Sequence, residues 1–229
     1  MLTFLKFFLQ ESKSGVVTTF MKARIPTPAH KGVVDTIKDY AQKHNMHSVI
    51  KLSGANHPLS ADQKKQHAER LFQHPVELAD KDSNSFVSHL TNLSKQGHQT
   101  AHVFVGSDRA HEIERIANVH NTNNNAGYHD KKGNKVFHFP GGVHVHQVGS
   151  DRLDLDNPTS KEEHAVSKIH PTKMSSDQIS RSTSATRLEK LAGSNDYSGF
   201  KAYHPGIEEK HVKSLYNDIR SGLSKPKPK

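Results

Sequence analysis

Short apolar runs alternate with amphipathic segments in the first half of the chain. The run GVVTTFMKA at 15–23 is β-branched and mostly apolar, which is typical of a strand buried in a parallel sheet. Apolar residues then recur at helical spacing between Val33 and Ala41. Further strands are predicted at 46–53 and 100–106, and further helices at 60–72, 83–97 and 107–118. This alternation predicts an α/β fold with a parallel sheet and right-handed crossover connections.

The pattern weakens in the second half of the chain. Two polar stretches without clear periodicity, at 118–142 and 150–178, are predicted to be irregular insertions. Between them, VHVHQV at 143–148 alternates between apolar and polar positions as a strand does. The last helices are predicted at 184–193 and 208–223.

We predict that one α/β domain occupies residues 15–223, with an apolar peptide before it and a loose basic tail, 224–229, after it. The peptide at 1–14 is apolar for only about ten residues, which is too short to span a bilayer, and it lacks the pattern of a signal peptide. We interpret it as a short helix that docks on its own domain, with a membrane-surface or assembly anchor as the alternative. No transmembrane segment is expected anywhere in the sequence.

The amino-acid composition indicates which kinds of molecule the protein is expected to bind. The 229 residues carry a formal net charge of +9, which favours polyanionic partners such as nucleotides, nucleic acid or an acidic protein surface. A basic surface that serves solubility is the alternative. Only 32% of the residues are hydrophobic and the mean hydropathy is −0.77, so part of the chain is expected to lie outside the core. The absence of cysteine excludes disulfides and thiolate metal sites.

The stretch RIPTPAH, residues 24–30, joins the first predicted strand to the first predicted helix. Pro26 and Pro28 fix their own φ angles and hold their predecessors in extended conformations, so His30 falls in the first helical turn. The N–H groups of that turn have no helical partners and the helix dipole is positive there, which suits a phosphate. The stretch is therefore either a phosphate site, with Thr27 and His30 as donors, or a proline-capped helix with a surface histidine.

Several segments, in order along the chain, resemble a known family. TPAH at 27–30 is similar to the T/H-x-G-H signature of the nucleotidylyltransferase superfamily. Over roughly residues 16–223, the chain resembles more closely the nucleotidyltransferase-like proteins of tailed phages. The further segments that carry this resemblance are HPLSADQK (57–64), VGSDR (105–109), VGSDRLDLD (148–156), STSATRLEKLAGSNDYSGF (182–200) and LYNDIRSGL (215–223).

This resemblance implies a Rossmann-like fold that binds a nucleoside triphosphate, usually with Mg²⁺. It implies transfer of the nucleoside monophosphate to a phosphorylated acceptor with release of pyrophosphate, through positioning and charge stabilisation rather than a covalent enzyme intermediate. The residues implied to contact the triphosphate are Thr27 and His30, with Ala29 beside them, and Ser184 and Thr186 at a later helix start; Ser107 and Asp108 are implied to border the nucleotide pocket.

The sequence departs from the family pattern at two positions. Ala29 stands where the motif has glycine, and its methyl group would crowd a phosphate held against the backbone. Aligned without gaps through AGSND, the family's arginine falls on Glu189, whose carboxylate would repel the triphosphate. A shift of two residues supplies Arg187 instead, and we predict Arg187 to be the basic residue of the site. Because two residues along a helix are about 200° apart, only one of these side chains can face the site.

Histidine pairs and an acidic turn are the other candidate ligands. His144 and His146 lie on one strand face at positions i and i+2, with His138 near in sequence. The acidic turn contains Asp151, Asp154 and Asp156. The chain has 19 histidines, so we interpret these histidines as structural or exposed, and the acidic turn as solvated. No metal site built from protein side chains is predicted.

Two functional hypotheses remain open at this stage. The first is a phage-type nucleotidylyltransferase-like enzyme that acts on a nucleoside triphosphate and a phosphorylated acceptor in the host cytoplasm. The alternative is a family member without turnover that serves as a structural or scaffold component of a virion. In that case the net charge of +9 would face DNA or acidic capsid proteins.

Overall fold

The computed structural model describes residues 15–54, 57–80, 82–121, 133, 136–149 and 151–225. The predicted N-terminal peptide, most of the insertion predicted at 118–142 and the end of the basic tail lie outside the described residues.

Five strands form one sheet. They are β1 (Val16–Met21), β2 (His47–Leu52), β3 (Glu77–Leu78), β4 (Ala101–Gly106) and β5 (Val143–Val148). Their order in the sheet is β3-β2-β1-β4-β5, and β4 pairs in parallel with both β1 and β5. In register, Val16 lies opposite Ala101, which in turn lies opposite Val143. The parallel sheet with helical connections is Rossmann-like and confirms the predicted fold class.

The described part of the chain contains nine α-helices and a short 3₁₀ turn at Pro171–Lys173. The helices are α1 (Pro28–Lys43), α2 (Ala61–Phe72), α3 (Phe86–Lys95), α4 (Ala110–His120), α5 (Lys161–Ser167), α6 (Ser176–Ser182), α7 (Ala185–Gly193), α8 (Tyr197–Ala202) and α9 (Glu209–Leu223). None of them combines the length and the apolar character needed to cross a membrane.

Side-chain caps set the beginnings of several helices. Ser60 accepts from the N–H of Gln63, and the Gln63 side chain accepts from the Ser60 N–H, which completes a capping box at α2. The helix therefore begins at Ala61, within one residue of the start predicted at 60. The helix predicted at 107–118 instead begins at Ala110, because residues 107–109 form a turn in which the Arg109 N–H donates to the Gly106 carbonyl.

The stretch predicted to be irregular at 150–178 contains α5 and the start of α6, so that prediction is wrong there. Both helices begin with capping boxes, Ser160 with Glu163 and Ser175 with Gln178. The Glu163 carboxylate accepts from the N–H groups of Ser160, Asp154 and Thr159, and these bonds lower the pKa of Glu163 to about 2. Polar caps therefore form short helices where apolar periodicity gives no signal.

The chain divides into two compact units, each with its own core. The sheet unit contains the described residues of 1–20, 36–51 and 79–148, and the helical unit contains those of 21–35, 52–78 and 149–229. The core of the sheet unit includes Phe20, Leu90, Val103, Ile113, Phe137 and Phe139. The core of the helical unit includes Ile25, Leu59, Leu188, Phe200, Tyr203 and Ile219.

Candidate functional site

Thr27 and His30 form a closed hydrogen-bonded pair at the start of α1. The backbone N–H of Thr27 donates to Nδ1 of His30 across 3.1 Å, and the Thr27 hydroxyl oxygen lies 2.7 Å from the same nitrogen. The His30 N–H donates back to this oxygen across 3.4 Å. Thr27 is buried and precedes Pro28, which occupies the first helical position without needing an N–H partner. The pair therefore caps α1 and holds the imidazole against its first turn.

These contacts fix the tautomer of the His30 ring. Because Nδ1 accepts from a main-chain N–H, it presents a lone pair, and the neutral ring carries its proton on Nε2. The Thr27 hydroxyl can then donate to Nδ1 while its oxygen accepts from the His30 N–H. His30 is half-buried, and its Nε2–H is a donor at the positive end of a helix dipole. This is an arrangement suited to an anion.

A carboxylate of the chain itself lies at the start of α7. Ser184 caps this helix by accepting from the Arg187 N–H across 3.0 Å, and its hydroxyl donates to Oδ2 of Asp156 across 2.9 Å. The other oxygen, Oδ1, lies 2.8 Å from Nζ of Lys190. Burial alone would raise the pKa of Asp156, but the hydrogen bonds from Lys190 and Ser184 outweigh it and lower the pKa. Asp156 is therefore ionised at neutral pH.

One face of α7 contacts the segment that leads into the Thr27 turn. Oε1 of Glu189 lies 2.9 Å from Nε of Arg24, and Nη2 of Arg24 donates to the Thr186 hydroxyl across 3.4 Å. Arg24 precedes Thr27 by three residues. The Glu189 carboxylate, expected from the sequence to repel a triphosphate, is thus neutralised by a guanidinium.

Arg187 lies on another face of α7. Its guanidinium carbon is 6.0 Å from the centre of the Tyr203 ring, a cation–π distance. Its positive charge also helps to lower the pKa of Asp156. Nε of Arg187 is buried and has no hydrogen-bond partner within the described chain. Arg187 and Glu189 therefore differ in their surroundings, as their angular separation on a helix requires.

The remaining predicted residues lie in different places. Ala29 is exposed in the first turn of α1. Ser107 and Asp108 belong to the sheet unit, in the turn between β4 and α4, where a Cβ on Gly106 would come within 2.8 Å of Oδ1 of Asp108. The helical unit thus contains six of the predicted residues, Thr27, Ala29, His30, Ser184, Thr186 and Arg187, and the sheet unit contains the other two.

The histidines of β4 and β5 form a cluster in the sheet unit. Nδ1 of His102 lies 3.1 Å from Nε2 of His146 and 3.1 Å from the Tyr40 hydroxyl, and the His144 ring stacks on His102 at 5.0 Å. Burial, followed by the charges of neighbouring histidines that include His144, lowers the pKa of His102 to about 4. No group of three or more His, Cys, Asp or Glu side chains in the described ranges has a geometry that could hold a metal ion.

Two residues beside α7, Arg24 and Asp156, were not predicted in these roles from the sequence. Arg24 carried one signal, because it is a basic residue in the same loop as Thr27. Asp156 was considered only as part of a solvated acidic turn. Asp156 contacts Ser184, which lies 28 positions later in the chain, and Lys190, which lies 34 positions later. No local sequence pattern predicts such pairings.

The chain was compared with protein families, with curated proteins and with solved structures. No protein-family model matches the sequence, and no curated protein matches it. Among solved structures, the chain is similar to tryptophanyl-tRNA synthetase from the hyperthermophilic archaeon Aeropyrum pernix, with a TM-score of 0.41 and 13% sequence identity. The match covers 96% of this chain and 74% of that chain. The Rossmann-like class follows from the strand order of this chain itself.

Proposed function

We propose that this protein binds a nucleoside triphosphate and transfers its nucleoside monophosphate to a phosphorylated acceptor, with release of pyrophosphate. The observation that carries the proposal is the Thr27–His30 pair, in which Nδ1 accepts a main-chain N–H and the neutral ring therefore carries its proton on Nε2. The donor lies at a helix start, where the helix dipole favours negative charge.

The start of α7 supplies the second group of phosphate contacts in this proposal. Ser184 and Thr186 carry hydroxyl groups at this helix start, and a phosphate oxygen would replace Asp156 as the acceptor of the Ser184 hydroxyl. Arg187 is half-buried, forms no ion pair with any carboxylate of the described ranges, and has a buried Nε without a hydrogen-bond partner there. A guanidinium in this state has donors available for phosphate oxygens, and its planar fork suits two of them.

The proposed reaction needs no nucleophile from the protein. An acceptor phosphate oxygen forms a bond to the α-phosphorus, the bond from the α-phosphorus to the bridging oxygen breaks, and pyrophosphate leaves with that electron pair. Negative charge grows on the oxygens of the α-phosphoryl group and on the leaving pyrophosphate. His30 Nε2–H, at the positive end of the α1 dipole, is the donor that stabilises this charge. Thr27 holds the ring in place and fixes its tautomer.

We propose that Mg²⁺ enters with the triphosphate as part of the substrate. Mg²⁺ prefers phosphate and carboxylate oxygens in octahedral geometry. The two carboxylates beside α7 are engaged by cations, Asp156 with Lys190 and Glu189 with Arg24, so they do not form an open pair of ligands. This donor set does not fit a metal site built from protein side chains, and phosphate oxygens are left as the ligands.

The experiment is a thermal-shift screen with each nucleoside triphosphate and Mg²⁺, followed by measurement of pyrophosphate release with a panel of phosphorylated acceptors. A rise in melting temperature with one triphosphate, together with pyrophosphate release that depends on the acceptor, supports the proposal. The absence of both responses with every triphosphate contradicts it. The protein used is the full chain of 229 residues.

A second function is favoured by the contact between Asp156 and Ser184. A carboxylate already occupies the start of α7, and Ala29 adds a methyl group at the first turn of α1. Both features disfavour phosphate binding, as in a family member without turnover that serves in the virion or scaffold of a tailed phage. Its partners would be DNA or acidic capsid proteins, given the net charge of +9.

Mass spectrometry of purified particles tests this second function. Stoichiometric presence of the chain in particles, together with no response to any triphosphate, supports it. Absence from particles contradicts it and leaves the host cytoplasm as the compartment of the proposed enzyme.

A further inference from the structure

We infer that Arg24 is a phosphate-binding residue of the site and that Glu189 is the residue that positions it. This inference rests on the proposed function, because it assigns a ligand contact within the same site. It is carried by the Arg24–Glu189–Thr186 contacts, which join the loop before Thr27 to α7.

The position of Arg24 suits this role. It lies three residues before Thr27, in the loop that leaves β1, and its side chain is 39% exposed. The Glu189 side chain is more buried, at 16% exposed. The ion pair therefore joins a mostly buried carboxylate to a more exposed arginine side chain, and we infer that the carboxylate orients the guanidinium.

The donor count of the guanidinium leaves room for a ligand. An arginine side chain carries five N–H donors in a fixed planar fork. Nε contacts Glu189 and one Nη2 hydrogen points to Thr186, so both Nη1 hydrogens and one on Nη2 are not used by these contacts. A planar fork anchored at one edge presents the other edge to a second anion, as bidentate binding of phosphate requires.

The charge balance supports the same conclusion. Glu189 alone would place a negative charge on the face of α7 that also carries Thr186. The ion pair with Arg24 cancels that charge, and the Arg24 hydrogens that these contacts do not use are donors for an approaching phosphate. The competing explanation is that the Arg24–Glu189 ion pair only fastens the loop to α7. A phosphate contact and a structural ion pair predict different effects when the guanidinium is moved from position 24 to position 189.

The test measures binding of inorganic tripolyphosphate with Mg²⁺ to the full chain by calorimetry. Arg24→Ala is expected to weaken binding by about tenfold to a hundredfold, the usual loss for a hydrogen bond to a charged group. Lys22→Ala is the matched control, because it removes the same charge from an exposed side chain of the same loop. It is expected to change the affinity by less than about threefold.

The double variant R24A/E189R distinguishes a phosphate contact from a structural ion pair. It moves the guanidinium from the loop to α7 without restoring the ion pair, and it is expected to recover most of the affinity that Arg24→Ala loses. Glu189→Gln keeps the size of the side chain but removes the charge that pairs with Arg24, and it is expected to cost about twofold to fivefold. Urea unfolding of each variant separates loss of binding from loss of folding.

Two results would overturn the inference. The first is that Arg24→Ala binds tripolyphosphate as wild type does. The second is that R24A/E189R folds but remains as weak as Arg24→Ala. Failure of the proposed function gives a different pattern, in which wild type binds neither tripolyphosphate nor any nucleoside triphosphate. If His30→Ala weakens binding and Arg24→Ala does not, only the role of Arg24 is refuted.

Discussion

The Asp156 carboxylate accepts a hydrogen bond from the Ser184 hydroxyl across 2.9 Å, so an anion of the chain lies at the start of α7. The proposed function places phosphate oxygens at the same helix start. A bound triphosphate must therefore either displace the Asp156 carboxylate from Ser184 or lie beside the negative charge of that carboxylate. Lys190, at 2.8 Å from the other oxygen, keeps the carboxylate ionised in the absence of ligand.

Asp156→Asn should strengthen binding of Mg²⁺-tripolyphosphate about tenfold, which corresponds to about 1.4 kcal/mol. The amide keeps the oxygen that accepts from Ser184 but removes the charge that repels phosphate. Calorimetry at constant ionic strength measures the change. Asp177→Asn is the control, since it removes a charge from an exposed aspartate on α6. Equal affinities of Asp156→Asn and Asp177→Asn would show that Asp156 does not compete with the ligand.

Thr27→Val tests the cap that holds His30. Valine has a similar shape but no hydroxyl, so the His30 N–H loses its acceptor and Nδ1 loses one of its two donors. We expect the free energy of unfolding to fall by about 1 kcal/mol. Triphosphate affinity should fall with it, because one donor instead of two then holds the ring. Urea unfolding and calorimetry measure both effects, and Thr27→Ser should restore most of each. A Thr27→Val variant with wild-type stability would contradict the capping role.

A pair of glycine substitutions tests the packing of α9. A Cβ on Gly222 would come within 1.8 Å of the Pro58 carbonyl oxygen, so Gly222→Ala should destabilise the protein by about 3 kcal/mol or more. Gly32→Ala in α1 meets no atom within 4 Å and should stabilise the helix by up to about 1 kcal/mol. Urea unfolding curves of the two variants should move in opposite directions from wild type. A Gly222→Ala variant as stable as wild type would refute the close approach of α9 to Pro58.

His89 should make the protein sensitive to acid. The Thr18 hydroxyl donates to the Val49 carbonyl across 2.7 Å, so its oxygen accepts Nε2–H of His89, also at 2.7 Å. Burial, with a smaller contribution from the Lys51 charge, lowers the pKa of His89 to about 3. The unfolded chain takes up a proton below about pH 6.5 while the folded chain does not, so the free energy of unfolding decreases as the pH falls from about 6.5 toward 3.

The contribution of His89 can be isolated by substitution. Between pH 7 and pH 5, this histidine should account for a loss of about 2 kcal/mol in the free energy of unfolding. His89→Gln, which cannot titrate, should show a smaller decrease over the same range in urea unfolding. Identical decreases in the variant and in wild type would mean that His89 does not stay neutral in the folded protein.

Strong local signals made four of the five described strands and most of the described helices predictable, whereas the two-residue strand β3 was not predicted. The apolar run at 15–23 contains β1, and Ser60 with Gln63 gives both the position and the cap of α2. The short helices α5 and α6 were not predicted because they lack apolar periodicity. Their local signal is the capping box, Ser160 with Glu163 and Ser175 with Gln178, of the same kind as at α2. Apolar periodicity reports burial, and these helices depend on polar caps.

The candidate site was predictable only within single segments. The two prolines correctly placed His30 in the first turn of a helix, and Ser184 was expected near a helix start. The ion pair between Arg24 and Glu189 joins residues 165 positions apart, and neither residue carries a sequence signal for the other. Whether Glu189 repels a triphosphate depends on that distant partner. The net charge beside α7 therefore depends on which distant residues the fold brings together, and the local sequence around Glu189 does not reveal it.

The central claim is that His30 donates from Nε2 to phosphate as negative charge develops during transfer. The most direct test is the single-turnover rate of pyrophosphate release by wild type and His30→Ala, with the triphosphate and acceptor that wild type uses fastest. We predict a decrease of about a hundredfold to a thousandfold in His30→Ala, and a change in the free energy of unfolding of about 1 kcal/mol or less. His164→Ala, at an exposed histidine of the same unit, should retain the wild-type rate. A rate in His30→Ala within twofold of wild type would contradict the claim.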